Sequence, residues 1–323
     1  MEEYKDVVLT TRIRLARNVK GYKFPYNMKD KERKEVLNYI KEKLDGKYSV
    51  LELDNMDDIT KKSLVEQHTI SKELLDGSNT AVIMDEKKGL VCMLNEEDHF
   101  RIQAFQLGFD IDQAYDNILE MDEEIAKRVE YSTSPDYGYI TACPTCIGTG
   151  MRVSVMLHLP GLEKVGLINK IFNEISNLGI SIRGIYGENT KGEGSIYQIS
   201  NQKTLGVSEE QIIEQVKQVT KYIVKQERKA RELLKARDNV KDEIMRSLGI
   251  AKYATLLSKK EAMQILSNIK LGIDMGYVDN VKMEDLDKLI NSIGINTLRK
   301  NLKDNFAKED ENAKRAEYVK NNI

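Results

Sequence analysis

The stretch Val7-Val8-Leu9-Thr10-Thr11-Arg12-Ile13-Arg14-Leu15 alternates with period 2, the pattern of a half-buried strand. One face holds Val7, Leu9, Thr11, Ile13 and Leu15, and the other holds Val8, Thr10, Arg12 and Arg14. Two arginines therefore point the same way from one strand. A second stretch, Met151 to Leu159, repeats the pattern: Met151, Val153, Val155, Leu157 and Leu159 share a face opposite Arg152, Ser154, Met156 and His158. Shorter apolar runs at 81–84, 90–94, 180–182 and 195–199 add further strands. Leu162, Val165, Ile168, Phe172, Ile175 and Leu178, at three- and four-residue spacing, predict one helix ended by Gly179. The first two-thirds thus reads as α+β, a largely antiparallel sheet flanked by helices.

After about residue 205 the texture becomes helical. Ser208-x-x-Gln211 is a capping-box pattern, followed by Ile212, Val216, Val219 and Ile223 on one face. Charged helix is expected to run on to about Arg246, and Ser258-x-x-Glu261 opens another helix. No strand pattern follows. The expected division is an α+β domain over 1–228 and an all-helical domain over 229–323, with a polar tail from Lys300 that frays.

The 323 residues carry 50 Lys+Arg and 52 Asp+Glu, a net charge of −2, which gives no basic excess for a nucleic-acid or anionic-membrane surface. No apolar run approaches a membrane span, and the acidic start Met1-Glu2-Glu3-Tyr4-Lys5-Asp6 is unlike a secretory signal. Three cysteines (Cys92, Cys143, Cys146) do not make a disulfide framework and fit a reducing cytoplasm.

Arginines stand out on the strand faces. Arg12 and Arg14 are joined by Arg152, by Arg183 before Gly184, and by Arg101 after Asn95-Glu96-Glu97-Asp98-His99. The planar guanidinium fork suits phosphate oxygens, so several such strands could clamp a triphosphate; each arginine taken singly is equally a surface ion-pair partner. Neither a G-x-x-x-x-G-K-[ST] loop nor the H-R-D and D-F-G of Ser/Thr/Tyr kinases is present, so an ATP site here must rely on arginine side chains. Cys143-Pro144-Thr145-Cys146 lacks the paired Cys/His spacing of a zinc site and leads into a strand, unlike a thioredoxin motif, so no metal site is expected. Cys143 reads either as a reactive thiolate or as an inert thiol. Glu97 and Glu188 are the carboxylates of interest, Glu188 opening a polar, glycine-bearing stretch to Gly194 that reads as a mobile loop. His68 is either structural or a ligand contact.

Together these segments resemble the phosphagen kinases, the ATP:guanidino phosphotransferase superfamily. Thr10-Thr11-Arg12-Ile13-Arg14-Leu15-Ala16-Arg17-Asn18 resembles its first phosphate-binding strand. Asn95-Glu96-Glu97-Asp98-His99-Phe100-Arg101 is similar to its N-E-E-D-H-x-R signature, and Cys143 to Arg152 to its C-P-[ST]-N-x-G-T-x-x-R loop, with Cys146 in place of Asn. Within the superfamily the chain looks most like the bacterial protein-arginine kinase branch. It starts at the catalytic motifs without the helical domain that selects small guanidines, has Met156 where metabolite enzymes tend to have His, and ends in a helical domain.

The resemblance implies that Arg12, Arg14, Arg101, Arg152 and Arg183 grip the phosphates of ATP, carried with Mg²⁺. The first strand, Thr10 to Arg14, would bind phosphate, and His68 would lie by the adenine. The backbones of Arg152, Val153, Ser154, Val155 and Met156, and of Arg183, Gly184, Ile185, Tyr186, Gly187 and Glu188, would line the nucleotide. Glu97 would be the catalytic carboxylate, Glu188 the second guanidinium-binding carboxylate and Cys143 the active-site thiol. The reaction implied is γ-phosphoryl transfer to protein arginine. The same resemblance implies a homodimer through the C-terminal domain, a small zinc-binding activator protein and delivery of marked proteins to a bacterial protease. Two other readings are a kinase for a small guanidino compound and an ATP-binding pseudokinase scaffold. The family's C-terminal R-D-x-x-R-A motif, which binds phosphoarginine, is Glu311-Asn312-Ala313-Lys314-Arg315-Ala316 here, and a glutamate in place of the first arginine would repel phosphate.

Overall fold

The computed structural model describes residues 2–184, 187–188 and 193–323, with Glu2, Gly187 and Glu188 described by backbone alone. The first strand, β1, spans Val8–Arg17, and α1 follows at Asp30–Leu44. Next come β2 (Leu51–Glu52), α2 (Asp58–Glu66), α3 (Lys72–Asp76), β3 (Ala81–Asp85), β4 (Leu90–Leu94) and β5 (Phe100–Leu107). Helix α4 (Ile111–Ala126) leads to a short hairpin, β6 (Thr133–Ser134) and β7 (Gly138–Tyr139), and then to β8 (Met151–His158). Helices α5 (Pro160–Lys164) and α6 (Ile168–Ser176) precede β9 (Ile180–Gly184), β10 (Gly187–Glu188) and β11 (Ile196–Asn201). The remainder is helical: α7 (Glu209–Lys235), α8 (Asp238–Tyr253), α9 (Lys259–Asp274), α10 (Met283–Ile290), α11 (Ile295–Leu302) and α12 (Glu311–Asn321).

Nine strands form one sheet in the order β10-β9-β11-β8-β1-β5-β4-β3-β2, and its described pairings are antiparallel. Ile13, Leu15, Ile102, Val153, Val155 and Ile199 point to one face, where α1, α4 and α7 bring Ile40, Ile118 and Val216 into a single core. A bulge between Val8 and Thr10 breaks the expected alternation there, and Leu9 packs against the helical cluster instead of the sheet core.

Three further expectations are corrected. The single helix over 162–178 is two, because Gly166 takes a left-handed turn (φ 75°) between α5 and α6. Charged helix does not run unbroken to Arg246: Arg237 is extended, and the bend lets Leu234 and Val240 both enter the helical core. The tail does not fray, since α12 buries Arg315, Ala316 and Val319. Residue 228 falls within α7. No helix among the described residues is long and apolar enough to cross a membrane.

Two contacts fasten the helical part to the sheet. Arg231 of α7 is fully buried, pairing with Glu227 (2.7 Å) and Asp274 (3.0 Å) and donating to the carbonyls of Asp6 (3.1 Å) and His158 (3.0 Å). Glu66, at the end of α2, caps α11: its carboxylate accepts from the backbone N–H groups of Asn296 (3.1 Å) and Thr297 (2.8 Å) and from both their side chains. Removing this cap in Glu66→Ala should cost about 2 kcal/mol and speed hydrogen exchange in α11 ahead of the sheet. Unchanged exchange across 294–302 would show that the cap does not hold the helix.

Candidate active site

Residues directly opposite in an antiparallel pair point to the same face, so the register alone sorts the arginines. Arg14 lies opposite Arg152 on β8, and Ala16 lies opposite Arg101 on β5. Arg12 lies opposite Ser154, Met156 opposite Gln198 on β11, and Gln198 opposite Arg183 on β9. Arg12, Arg14, Arg101, Arg152 and Arg183 thus leave the sheet on one face, drawn from four strands. Arg17, one residue out of phase, lies on the other face, where Asp122 holds it (2.9 Å) and Tyr139 stacks on it at 3.5 Å.

Burial and like charge act together on these guanidinium groups. Burial, with the charges of Arg101 and Arg152, lowers Arg12 to about 10, although its guanidinium also donates to Gln198 Oε1 (3.1 Å). Arg14 is pushed well below the usual arginine range by burial and by Arg12, Arg101 and Arg152. Among the described residues, the Nε atoms of Arg14 and Arg152 are buried without a hydrogen-bond partner. Arginines facing each other across two strands with donors to spare fit a polyanion such as a triphosphate.

The acidic side of the site comes from the turn between β4 and β5. Arg101 pairs with Glu96 at 2.6 Å and with Glu97 at 3.5 Å; burial works against its charge, but the two carboxylates outweigh it and raise its pKa. For Glu96 burial is outweighed by Arg101, and its pKa falls. For Glu97 burial, joined by Asp98 and Glu96, outweighs Arg101, and its pKa rises while its side chain stays 39% exposed. A reachable carboxylate with a raised pKa is the form a general base takes.

The turn is fixed from behind. Asn18 donates to Asp98 Oδ1 (2.6 Å) and accepts from the His99 N–H (2.9 Å), and Val19 N–H donates to His99 Nδ1 (2.9 Å). Asp98 also accepts from the Ala142 N–H (2.7 Å), which ties the Cys143 loop to the Glu97 turn. In that loop Cys143 is half-buried, 3.0 Å from the Thr145 hydroxyl, and Cys146 is buried, its thiol pushed up by burial. The loop is held by Thr204, whose hydroxyl donates to the carbonyls of Thr145 (3.0 Å) and Ile147 (2.7 Å). Gly148, at φ 113°, allows this approach: a Cβ there would lie 2.2 Å from the Thr204 carbonyl oxygen.

His68 keeps an exposed edge beside the arginine face, and the Gln103 side-chain amide donates to Thr69 O (3.0 Å) to hold its loop on the sheet. Crowding of the ring, then the charges of Arg12 and Lys259, lowers its pKa. Thr10 and Met156 face each other in the next row of the same face, while Thr11, Ile13, Val153 and Val155 point to the core. Gly184 pairs with Gly187, and Glu188 with Arg183, by backbone register. Ile185 and Tyr186 lie outside the described residues, as do the Glu188 side chain and residues 189–192 of the loop expected to be mobile. Gln198, Asn18, Glu96, Asp98 and Thr204 act in the site without having been singled out; Gln198 was signalled only by its place on the polar face of its strand. At the C-terminus, Arg315 is fully buried, bonded to Glu311, Asn312 and the carbonyls of Leu257 (2.9 Å) and Ile293 (2.8 Å), so it has no exposed guanidinium to offer a phosphate.

The ATP:guanido phosphotransferase C-terminal catalytic domain matches residues 27–230, and the protein-arginine kinase McsB C-terminal domain matches residues 237–323. The chain belongs to the ATP:guanido phosphotransferase family. It is 41% identical to a protein-arginine kinase of Clostridium acetobutylicum, over 98% of this chain and 96% of that one. It is 40% identical to a protein-arginine kinase of Caldanaerobacter subterraneus over the same shares. Among solved structures, lombricine kinase superposes with a TM-score of 0.62 at 25% identity, over 69% of this chain and 67% of that chain. A duplicated taurocyamine kinase from Schistosoma mansoni, bound to transition-state analogue components, gives 0.62 at 28% identity, over 68% of this chain and 32% of that chain. Phosphagen kinases thus share the sheet fold, and the helical domain is the one matched in the protein-arginine kinases.

His99 sets an acid limit on the site. Burial, with the charge of Arg33, lowers its pKa to about 4 from an ordinary 6.5. The unfolded chain therefore binds more protons in acid, and stability present above pH 6.5 is lost as pH falls towards 4, by about 3 kcal/mol. Urea unfolding at a series of pH values should show this slope, and His99→Gln should flatten it.

Proposed function

We propose that this protein is a protein-arginine kinase, moving the γ-phosphoryl group of ATP to a guanidinium nitrogen of arginine in other proteins. The observation that carries the reading is the single-faced arginine cluster ending beside Glu97, with the Cys143 loop tied to the same turn, both residues partly exposed so that a guanidinium borne on a protein has access. Curated relatives named for that activity, aligned along nearly the whole chain, support it.

Arg12, Arg14, Arg101, Arg152 and Arg183 hold the phosphates, and their charge stabilises the transferring group; Mg²⁺ entering with ATP supplies further neutralisation. The incoming guanidinium is a cation with pKa above about 12, so a proton must leave as its nitrogen bonds to phosphorus and the bond to the β-phosphate oxygen breaks. Glu97 aligns that guanidinium and takes the proton, and ADP departs. Glu188 holds its other edge and Cys143 adds electron density beside it. The same reading divides the chain into a catalytic domain over 1–228 and a helical domain over 229–323, and includes a homodimer through the latter. It further includes a cytoplasmic location, a small zinc-binding activator and delivery of marked proteins to a protease.

The test is incubation with MgATP and an unstructured protein, followed by mass spectrometry at neutral pH, which spares acid-labile N–P bonds. Phosphate is expected on arginine, with Glu97→Gln reducing transfer by roughly 10²–10⁴-fold while ATP still binds. Label confined to Ser, Thr or Tyr, or to free arginine, would defeat the reading; a mutant as fast as wild type would remove Glu97 from its role.

A further inference from the structure

Asn18, Asp98 and His99 hold the far side of the Glu97 turn, and a separate set of bonds holds the near side. Residues 95–99 form the loop between β4 and β5, closed where the Asn95 N–H donates to the His99 carbonyl (3.1 Å). Asn95 enters that loop with φ at 59°, in the left-handed region, which asparagine tolerates but any residue with a Cβ disfavours. Its side chain is fully buried, and the amide donates to the carbonyls of Arg33 (2.9 Å) and Asn79 (3.1 Å). In return the Arg33 guanidinium donates to the Asn95 carbonyl. Each residue thus holds the other's backbone.

Arg33 lies in the first turn of α1 and reaches further. The same guanidinium donates to Pro25 O (3.0 Å) and Ser78 O (2.8 Å), so carbonyls from three separate connections converge on it. The Ser78 hydroxyl in turn donates to Asp30 (2.6 Å), which fixes that connection to the start of α1. Burial lowers the basicity of Arg33, and the charge of Asp30 only partly offsets it. Since these three bonds all go to backbone carbonyls, what the guanidinium fixes is chain geometry. A planar fork does this better than an ammonium group, because it sets angles as well as distances.

We propose that Arg33 is a positioning residue for phosphoryl transfer: clasped to Asn95, it fixes the N-terminal side of the loop that carries Glu97, two residues on. This rests on the reading of Glu97 as the base, and it adds a residue from a helix on the opposite face of the sheet. With both peptide groups of Asn95 bonded, the chain leaves β4 in one direction and the carboxylate near the loop tip has one place to stand. Without the guanidinium the Asn95 carbonyl is released and the left-handed turn can relax. Glu97 is then still present but displaced, and a shift of about 1 Å in a reacting group costs up to about 10²-fold in rate.

Turnover of MgATP with an unstructured protein, with the Tm of each variant measured alongside, tests this. Arg33→Gln should lower kcat roughly 10–10²-fold while KM for ATP holds, since the arginine face is untouched. The acid limb of kcat against pH should move to lower pH, because a loosened Glu97 is less enclosed and burial is the largest influence holding its pKa up. In a Glu97→Gln background the same substitution should add little further loss, as expected of a residue that acts through that carboxylate. Arg33→Lys, which keeps the charge but not the fork, guards against misfolding and should show a smaller loss of the same kind. Asn95→Gly, which keeps the left-handed backbone but removes the amide, should reproduce the fall in kcat. Folded Arg33 variants with wild-type kcat and pH profile, or a loss undiminished in the Glu97→Gln background, would overturn the inference and leave the kinase reading standing. A wild-type chain that phosphorylates no protein arginine would overturn both.

Discussion

Guanidinium groups crowd one face of one sheet, where Arg12, Arg14, Arg101 and Arg152 act on one another as like charges, and the rest of the molecule holds them there. The opposite face of the same strands is closed by α1, α4 and α7 around a continuous apolar core, which fixes the register. Because the side-chain period in a strand is 2, a slip of one residue would bury Arg12, Arg14 and Arg152 and expose Ile13 and Val153. The hydrophobic effect on one side thus enforces an electrostatic arrangement on the other that would not assemble by itself. Burial first, and the neighbouring guanidinium charges after it, lower the basicity of Arg12 and Arg14, and a bound polyanion would oppose both effects.

Adjacent glutamates show how the same chemistry is divided between framework and function. Glu96 is buried against Arg101 and its charge is favoured; Glu97 is more open, farther from that arginine, and its charge is disfavoured. Neutralisation of Arg101 by Glu96 frees Glu97 from serving as a permanent ion-pair partner. The turn that holds both is rigid because Asn18, Asp98 and His99 form a closed hydrogen-bond set, which also sets the distance to the Cys143 loop. For the role proposed for Glu97, meeting a guanidinium within hydrogen-bond reach, that rigidity matters more than any particular pKa.

Much of this was legible in the residues themselves. The alternation in 7–15 and 151–159 gave both the core face and the arginine face, since periodicity is a local property. Helix α4 had a readable cap, Asp110 accepting from the Gln113 N–H, yet α1 and α4 went unread beside the stronger strand signals. The bulge that turns Leu9 away, the break at Gly166 and the burial of α12 depend on what packs from far along the chain, which no local pattern records. The same holds for Gln198 and Thr204: each is an ordinary polar residue until the topology lays β11 beside β8 and the following turn against the Cys143 loop. Motif resemblance supplied Arg101 and Glu97 as candidates, but only the register shows that Arg101 shares a face with Arg14.

Buried arginine by itself says little about function, and three examples here show why. Arg17, Arg231 and Arg315 are as buried as any side chain in the protein, and each is surrounded by carboxylates and carbonyls that take up its donors. Such groups are finished; a ligand would have to displace protein acceptors to reach them. Arg14 and Arg152 differ in that like charges face them and their buried Nε atoms lack partners among the described residues. An unfinished, self-repelling cationic cluster is costly in the empty protein and becomes favourable only when anionic oxygens arrive. That contrast within one chain, more than the number of arginines, is what suits this cluster to the phosphate-binding role proposed for it. It also explains why the C-terminal Arg315, despite its motif, has become part of the framework.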